Sequence, residues 1–132
     1  MKRRNTLTPV EWEIMKAVYE AGESPSVRKV WEHAYPDKGK AYTTVQTIMN
    51  NLEKKGMLLR RKIGLVNFYS PAVPYDTVVQ SEISRLTHRM FNDSVSELAN
   101  HLVDLDGVTM EEIQKIRQIL NDKEHELKEK NQ

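Results

Sequence analysis

The chain has no cysteine among its 132 residues. That removes disulfides, thiolate metal sites and thiol nucleophiles together. It also has no run of about 18 apolar residues, the length a membrane-spanning helix needs, so no membrane insertion is expected. Its basic start, Met1-Lys2-Arg3-Arg4-Asn5-Thr6, leads into an amphipathic segment and not into an apolar signal core. A soluble, cytoplasmic protein is expected. Catalytic signatures are missing too. There is no Gly-rich phosphate loop and no nucleophile elbow. His33, His88, His101 and His125 are scattered without metal-ligand spacing. The residues point to no metal, no cofactor, no catalytic group and no enzyme.

What is present is asymmetric charge. The formal net charge is +1, but it is unevenly spread. Residues 1–73 carry 13 Lys/Arg against 7 Asp/Glu, net +6, and residues 74–132 carry 7 against 12, net −5. A basic front and an acidic rear suggest that only the front meets a polyanion.

Punctuation along the chain places the elements. Thr8-Pro9-Val10-Glu11 is a capping box with Pro at the first helical position, flanked by Leu7 and Trp12 at hydrophobic-staple spacing. Val10, Ile14, Met15, Val18 and Tyr19 make the inward stripe of this helix, and Gly22 stops it. Ser24-Pro25-Ser26 opens a second helix, with Val27, Val30, Trp31 and Ala34 inward, and Tyr35-Pro36 closes it. A third runs from near Thr43 to Gly56 with Val45, Ile48, Met49 and Leu52 inward. Strands are expected at 57–62 and 65–70, joined by a turn at Ile63-Gly64, with Pro71 and Pro74 marking a boundary. Helices are expected at 75–91, at 94–103, and after the capping box Thr109-Met110-Glu111-Glu112, with the charged last residues frayed.

The third helix and the hairpin carry the functional reading. Thr44, Gln46, Thr47, Asn50, Asn51 and Lys54 are left for the outside of that helix, and Thr43 at its start joins them as a candidate DNA contact. Thr, Gln and Asn both donate and accept hydrogen bonds, and Gln and Asn match adenine edges in the major groove. A polar face can equally be a merely solvated one; two capped helices before it and a hairpin after it give it weight. That order is a winged helix-turn-helix. Arg60, Arg61 and Lys62 on the first strand are assigned to phosphates, though alternation lets at most two of them share a face. The same cations would also protect a sheet edge. Lys2, Arg3 and Arg4 are either a DNA-touching arm or a frayed terminus.

The expected fold is therefore mostly α with a small β-hairpin: a winged helix-turn-helix DNA-binding domain over residues 1–73 and a helical dimerisation domain over 74–132. The C-terminal apolar stripes, including Val79, Ile83, Leu86, Leu98, Leu102, Ile113, Ile116 and Leu120, are too many for three short helices to bury among themselves. The helices could fold back on the first domain, but a second copy is the preferred cover, and a two-fold dimer reads a palindrome.

Several segments together resemble the penicillinase repressor family (BlaI/MecI). They are Leu7-Thr8-Pro9-Val10-Glu11-Trp12-Glu13-Ile14-Met15, Thr43-Thr44-Val45-Gln46-Thr47, Leu52-Glu53-Lys54-Lys55-Gly56, Phe68-Tyr69-Ser70-Pro71 and the tail Glu112-Ile113-x-x-Ile116-Arg117-x-Ile119-Leu120. The resemblance implies a cytoplasmic dimeric repressor that binds double-stranded operator DNA through the winged helix and dimerises through the C-terminal helices. It also implies release by cleavage in the C-terminal domain after a membrane-bound sensor metalloprotease detects a signal such as a β-lactam. The nearest match to the family's cleaved Asn-Phe bond is Asn100-His101, while an ungapped comparison places His101-Leu102 there. Asn51 stands where the family usually has Arg, and Leu65 follows the wing glycine where a basic residue is common, so a different operator is expected. The absence of Cys separates the chain from copper-responsive relatives. Two rival readings fit the same residues: a ligand-sensing winged-helix regulator, and a winged-helix module that binds protein and not a specific DNA sequence.

Overall fold

The computed structural model describes residues 6–131, in the order α1 (Pro9–Ala21), α2 (Val27–Ala34), α3 (Tyr42–Lys54), β1 (Leu58–Ile63), β2 (Val66–Pro71), α4 (Tyr75–Phe91), α5 (Val95–Leu102) and α6 (Met110–Lys130). The basic residues Lys2, Arg3 and Arg4 lie outside the described residues. The chain divides into two compact units, residues 1–83 and 84–132, with α4 supplying residues to both.

In the first unit the helix starts follow the sequence closely. Thr8 Oγ1 accepts from the Glu11 amide (3.1 Å), and the Glu11 carboxylate accepts from the Thr8 amide (3.0 Å), the reciprocal box its spacing predicts. Ser26 Oγ caps α2 through the Lys29 amide (3.2 Å). The stripes of α1, α2 and α3 converge on one core, where Ile14, Met15, Val18, Val30, Val45, Met49 and Leu52 are fully buried. Val10 and Ile48 are only half-buried. Met57, Leu58, Tyr69 and Val78 complete the core from the hairpin and the start of α4. Tyr35, at the end of α2, donates to Glu13 of α1 (2.6 Å); burial, then the neighbouring carboxylate, push its phenol up to about 12. Trp12 and Tyr19 both meet the ring of Tyr75.

The hairpin differs from expectation by one residue. Leu58 pairs with Pro71 and Ile63 with Val66, so the two-residue loop is Gly64-Leu65. Of these two only Gly64 has positive φ (65°), the pattern of a type II′ turn, which puts glycine first. Pro71 accordingly lies inside β2, at the end of a two-stranded sheet.

In the second unit, Ser94 and Thr109 cap α5 and α6. Asn92 and Asp93, at φ 52° and 65°, turn the chain between α4 and α5. The expected fraying is not seen: α6 continues to Lys130. Its last turns carry the pairs Glu124–Lys128 (3.6 Å) and His125–Glu129 (3.2 Å) at i,i+4, which support a helix that has little to pack against. Among the described residues no helix is long and apolar enough to cross a membrane.

One ion pair spans the first unit. Lys55 Nζ, at the end of α3, donates to both oxygens of Glu11 at 2.7 Å, while Glu11 also caps α1. Burial raises the Glu11 carboxyl, but Lys55 and Thr8 outweigh it and hold the group below its ordinary 4.5. A carboxyl depressed by folding stabilises the fold above its unfolded value, and that contribution is lost as pH falls through the folded value. Glu11→Gln is expected to cost about 1–3 kcal/mol at neutral pH. It should also flatten the decline in stability below pH 4.5. Urea unfolding from acid to neutral pH measures both.

Candidate nucleic-acid interface

The third helix is presented to solvent by its ends as much as by its stripe. The turn before it is held by Trp31, whose Nε1 donates to the Lys40 carbonyl (2.7 Å) and whose ring meets Tyr42 edge-on at 5.8 Å. The Arg28 guanidinium lies 5.9 Å from the centre of the same Tyr42 ring. At the far end Gly56 adopts φ 84°. Its amide donates to the Glu53 carbonyl (3.0 Å) and that of Met57 to Leu52 (2.9 Å), the paired bonds of a Schellman stop. The helix start breaks the pattern set by Thr8, Ser26, Ser94 and Thr109. Its N-cap is Ala41, which has no side-chain oxygen to offer.

Between these ends Val45, Met49 and Leu52 are buried, and Thr43, Thr44, Gln46, Thr47, Asn51 and Lys54 are exposed. Asn50 is different. It is half-buried, and its Oδ1 accepts from Tyr69 Oη at 2.8 Å, so this acceptor is already engaged within the fold. Tyr69 is 1% exposed, and its amide donates to the Pro25 carbonyl (2.9 Å) beside an isolated bridge between Ser26 and Phe68. Burial pushes the Tyr69 phenol up; Arg60, opposite it in the ladder, pulls the other way.

Arg60, Arg61 and Lys62 are all exposed. Strand alternation puts Arg60 and Lys62 on the face of Leu58 and Tyr69, and Arg61 on the opposite face with Leu59 and Ile63. The hairpin therefore offers cations on both sides. A hollow of about 320 Å³ opens between α3 and the hairpin tip, lined by Ser26, Val27, Arg28, Tyr42, Gln46, Leu65, Val66 and Asn67. Arg28, Tyr42 and Asn67 are not among the residues the sequence pattern singles out. Asn67 is within its reach, since it pairs with Lys62 once the turn is set correctly. Arg28 carries no such signal, because only the folded α2–α3 turn brings it to the helix. Among the described residues no group of His, Asp or Glu is placed to hold a metal ion.

Two packed helices, an exposed third and an adjoining hairpin define a winged helix-turn-helix, the architecture of a DNA-binding regulator. The penicillinase repressor profile matches residues 7–122. The chain belongs to this family, whose members are DNA-binding transcriptional repressors and not enzymes. It is 25% identical over 129 residues to the penicillinase repressor of Bacillus licheniformis, covering 98% of this chain and all of that one. With the methicillin resistance regulatory protein MecI of Staphylococcus aureus (strain N315) it shares 22% identity over 117 residues, 89% of this chain and 94% of that one. A solution structure of Bacillus licheniformis BlaI, in its monomeric form with the blaP half-operator, matches at a TM-score of 0.46 and 27% identity, over 54% of this chain and 85% of that chain.

Tyr69→Phe removes the hydroxyl that reaches Asn50 Oδ1 from β2. It is expected to lower unfolding free energy by about 1–2 kcal/mol, read from a shifted urea midpoint at unchanged slope.

Proposed function

We propose that the chain is a cytoplasmic homodimeric repressor that binds a palindromic operator, with residues 1–73 as the DNA-binding domain and 74–132 as the dimerisation domain. The observation that carries this is the exposed row Thr43, Thr44, Gln46, Thr47, Asn51 and Lys54, set beside an exposed basic hairpin, in a chain of a repressor family. Thr43, Thr44, Gln46 and Thr47 meet base edges, with Asn50 positioned by Tyr69 to offer its amide N–H₂. Arg60, Arg61, Lys62 and Lys54 hold phosphates, which fix register without reading sequence. The uncapped start of α3 suits a phosphate oxygen, since unsatisfied first-turn amides and the helix dipole both favour an anion there.

Dimerisation is supported by what the second unit leaves uncovered. Neither α5 nor α6 has a buried residue, and Met90, Val95, Leu102, Leu105, Met110, Ile119 and Leu120 are exposed. Leu86, Leu98, Ile113 and Ile116 are half-buried at most. Helices with so little internal burial need a partner surface to be stable. Val79, Ile83, Leu86, Leu98, Leu102, Ile113, Ile116 and Leu120 supply it in each copy. The mechanism is occupancy: two linked readers bind one promoter and exclude polymerase, the second half-site being filled at high effective concentration. An inducing signal releases the operator by loosening the dimer. In the family's route a membrane-bound sensor metalloprotease would initiate cleavage. Asn100 and His101 are exposed but lie within α5, so cutting there requires the helix to open first. The ligand-sensing alternative draws on an apolar hollow of about 370 Å³ lined by Leu7, Trp12, Val79 and Ile83.

Gln46→Ala is expected to cost ~1–3 kcal/mol of discrimination between the selected operator and random DNA. Arg61→Ala should weaken all sequences alike and reduce the salt slope by about one. Fluorescence anisotropy on both duplexes at several salt concentrations separates the two, and equal losses for both variants would contradict the assignment. Leu120→Asp is expected to shift sedimentation from dimer to monomer. It should weaken binding to a two-half-site duplex by about 100-fold while sparing a single half-site.

A further inference from the structure

The hairpin tip carries a residue the fold does not use. Leu65 is 94% exposed, the highest value among the exposed large apolar residues. The turn needs its positive φ only at Gly64, so nothing in the backbone calls for leucine at the next position. Ile63 and Val66, paired beneath the tip, are 54% and 46% exposed. The result is an apolar point standing on a strand that carries Arg60, Arg61 and Lys62. An apolar tip with cations on the strand that leads into it is matched to a surface that is anionic outside and apolar within. A stacked duplex is such a surface: its base steps lie between phosphate rails.

The hollow between α3 and the tip fixes the direction. Gln46 and Tyr42 line one wall, Leu65 and Val66 the other, with Ser26, Arg28 and Asn67 also lining it. Hydroxyl, guanidinium and amide donors suit a phosphate oxygen. A single sugar–phosphate rail lying in this hollow would leave α3 in one groove and the hairpin tip in the neighbouring one. Resting on the operator reading above, we propose that Leu65 is a wedge that enters the minor groove beside each half-site and partly unstacks one base step. Apolar side chains inserted in this way favour steps that unstack cheaply, pyrimidine–purine steps above all. Leu65 would thus determine specificity at a position no hydrogen bond reads.

The test uses the full-length chain and a duplex that the wild type enriches from a randomised library, with 2-aminopurine placed at the steps flanking each half-site. Wild-type binding is expected to raise 2-aminopurine emission at one flanking step, and the enriched sequences to carry pyrimidine–purine steps there. Leu65→Ala should abolish both and bind about tenfold more weakly, while still enriching the same central sequence. Leu65→Lys, which puts a cation in place of the apolar wedge, should likewise give no emission rise. Unchanged emission and flanking preference in both variants would overturn the wedge and leave the operator reading standing. A wild type that enriches no sequence would overturn both. Vesicle binding or self-association that is lost in Leu65→Ala, with every DNA readout unchanged, would assign the tip to a membrane or a protein and overturn the wedge.

Discussion

The hydroxyl of Tyr69 sits on a side chain that is almost wholly buried, so it must find its partner inside the protein. It donates to Asn50 on the third helix, while its own amide bonds the Pro25 carbonyl at the entrance to the second. One residue of β2 therefore ties the hairpin to both members of the helix-turn-helix. A sequence-reading surface depends on this kind of tie. Helix and wing can cooperate on a duplex only if their separation is fixed before they meet it, because rigidity built into the fold need not be supplied at binding. The Glu11–Lys55 pair adds a second tie, joining the end of α3 to the first turn of α1.

Charge and apolar surface divide the remaining work. The first unit buries its stripes and keeps cations on the hairpin, while the second exposes apolar side chains along helices rich in acidic residues. An acidic rear is repelled by DNA, so the polyanion is left to the basic front. The helical rear leaves apolar side chains exposed in one copy, and the pairing of two copies proposed above would cover them. In the dimer proposed above, loosening the rear would lower occupancy of the operator.

Features set by neighbours in the chain are legible in the amino-acid sequence. Thr8 and Glu11, Ser26, and the Gly56 stop act within a few residues, and each follows from its own segment. The stripes of the first three helices are legible for the same reason, since helical period alone decides which residues face inward. The expected hairpin is off by one residue because it makes Gly64 the second member of the loop; the type II′ turn makes it the first. Helical period turns Asn50 outward, and only a partner 19 residues away engages its acceptor. Arg28 and the hollow it lines are built from three elements, so no single window of sequence contains them. The continuation of α6 to Lys130 is hidden by its charge, which reads as fraying until the i,i+4 signs are paired.

In the function proposed above, α3 and the hairpin meet a duplex as one rigid surface. Titrating the isotope-labelled full-length chain with an enriched duplex, and following backbone amide shifts, tests it most directly. The expected changes are concentrated in Thr43–Lys54 and Arg60–Asn67 and saturate at a single concentration of DNA. Changes confined to one of those segments, or centred on α5 and α6, would contradict it.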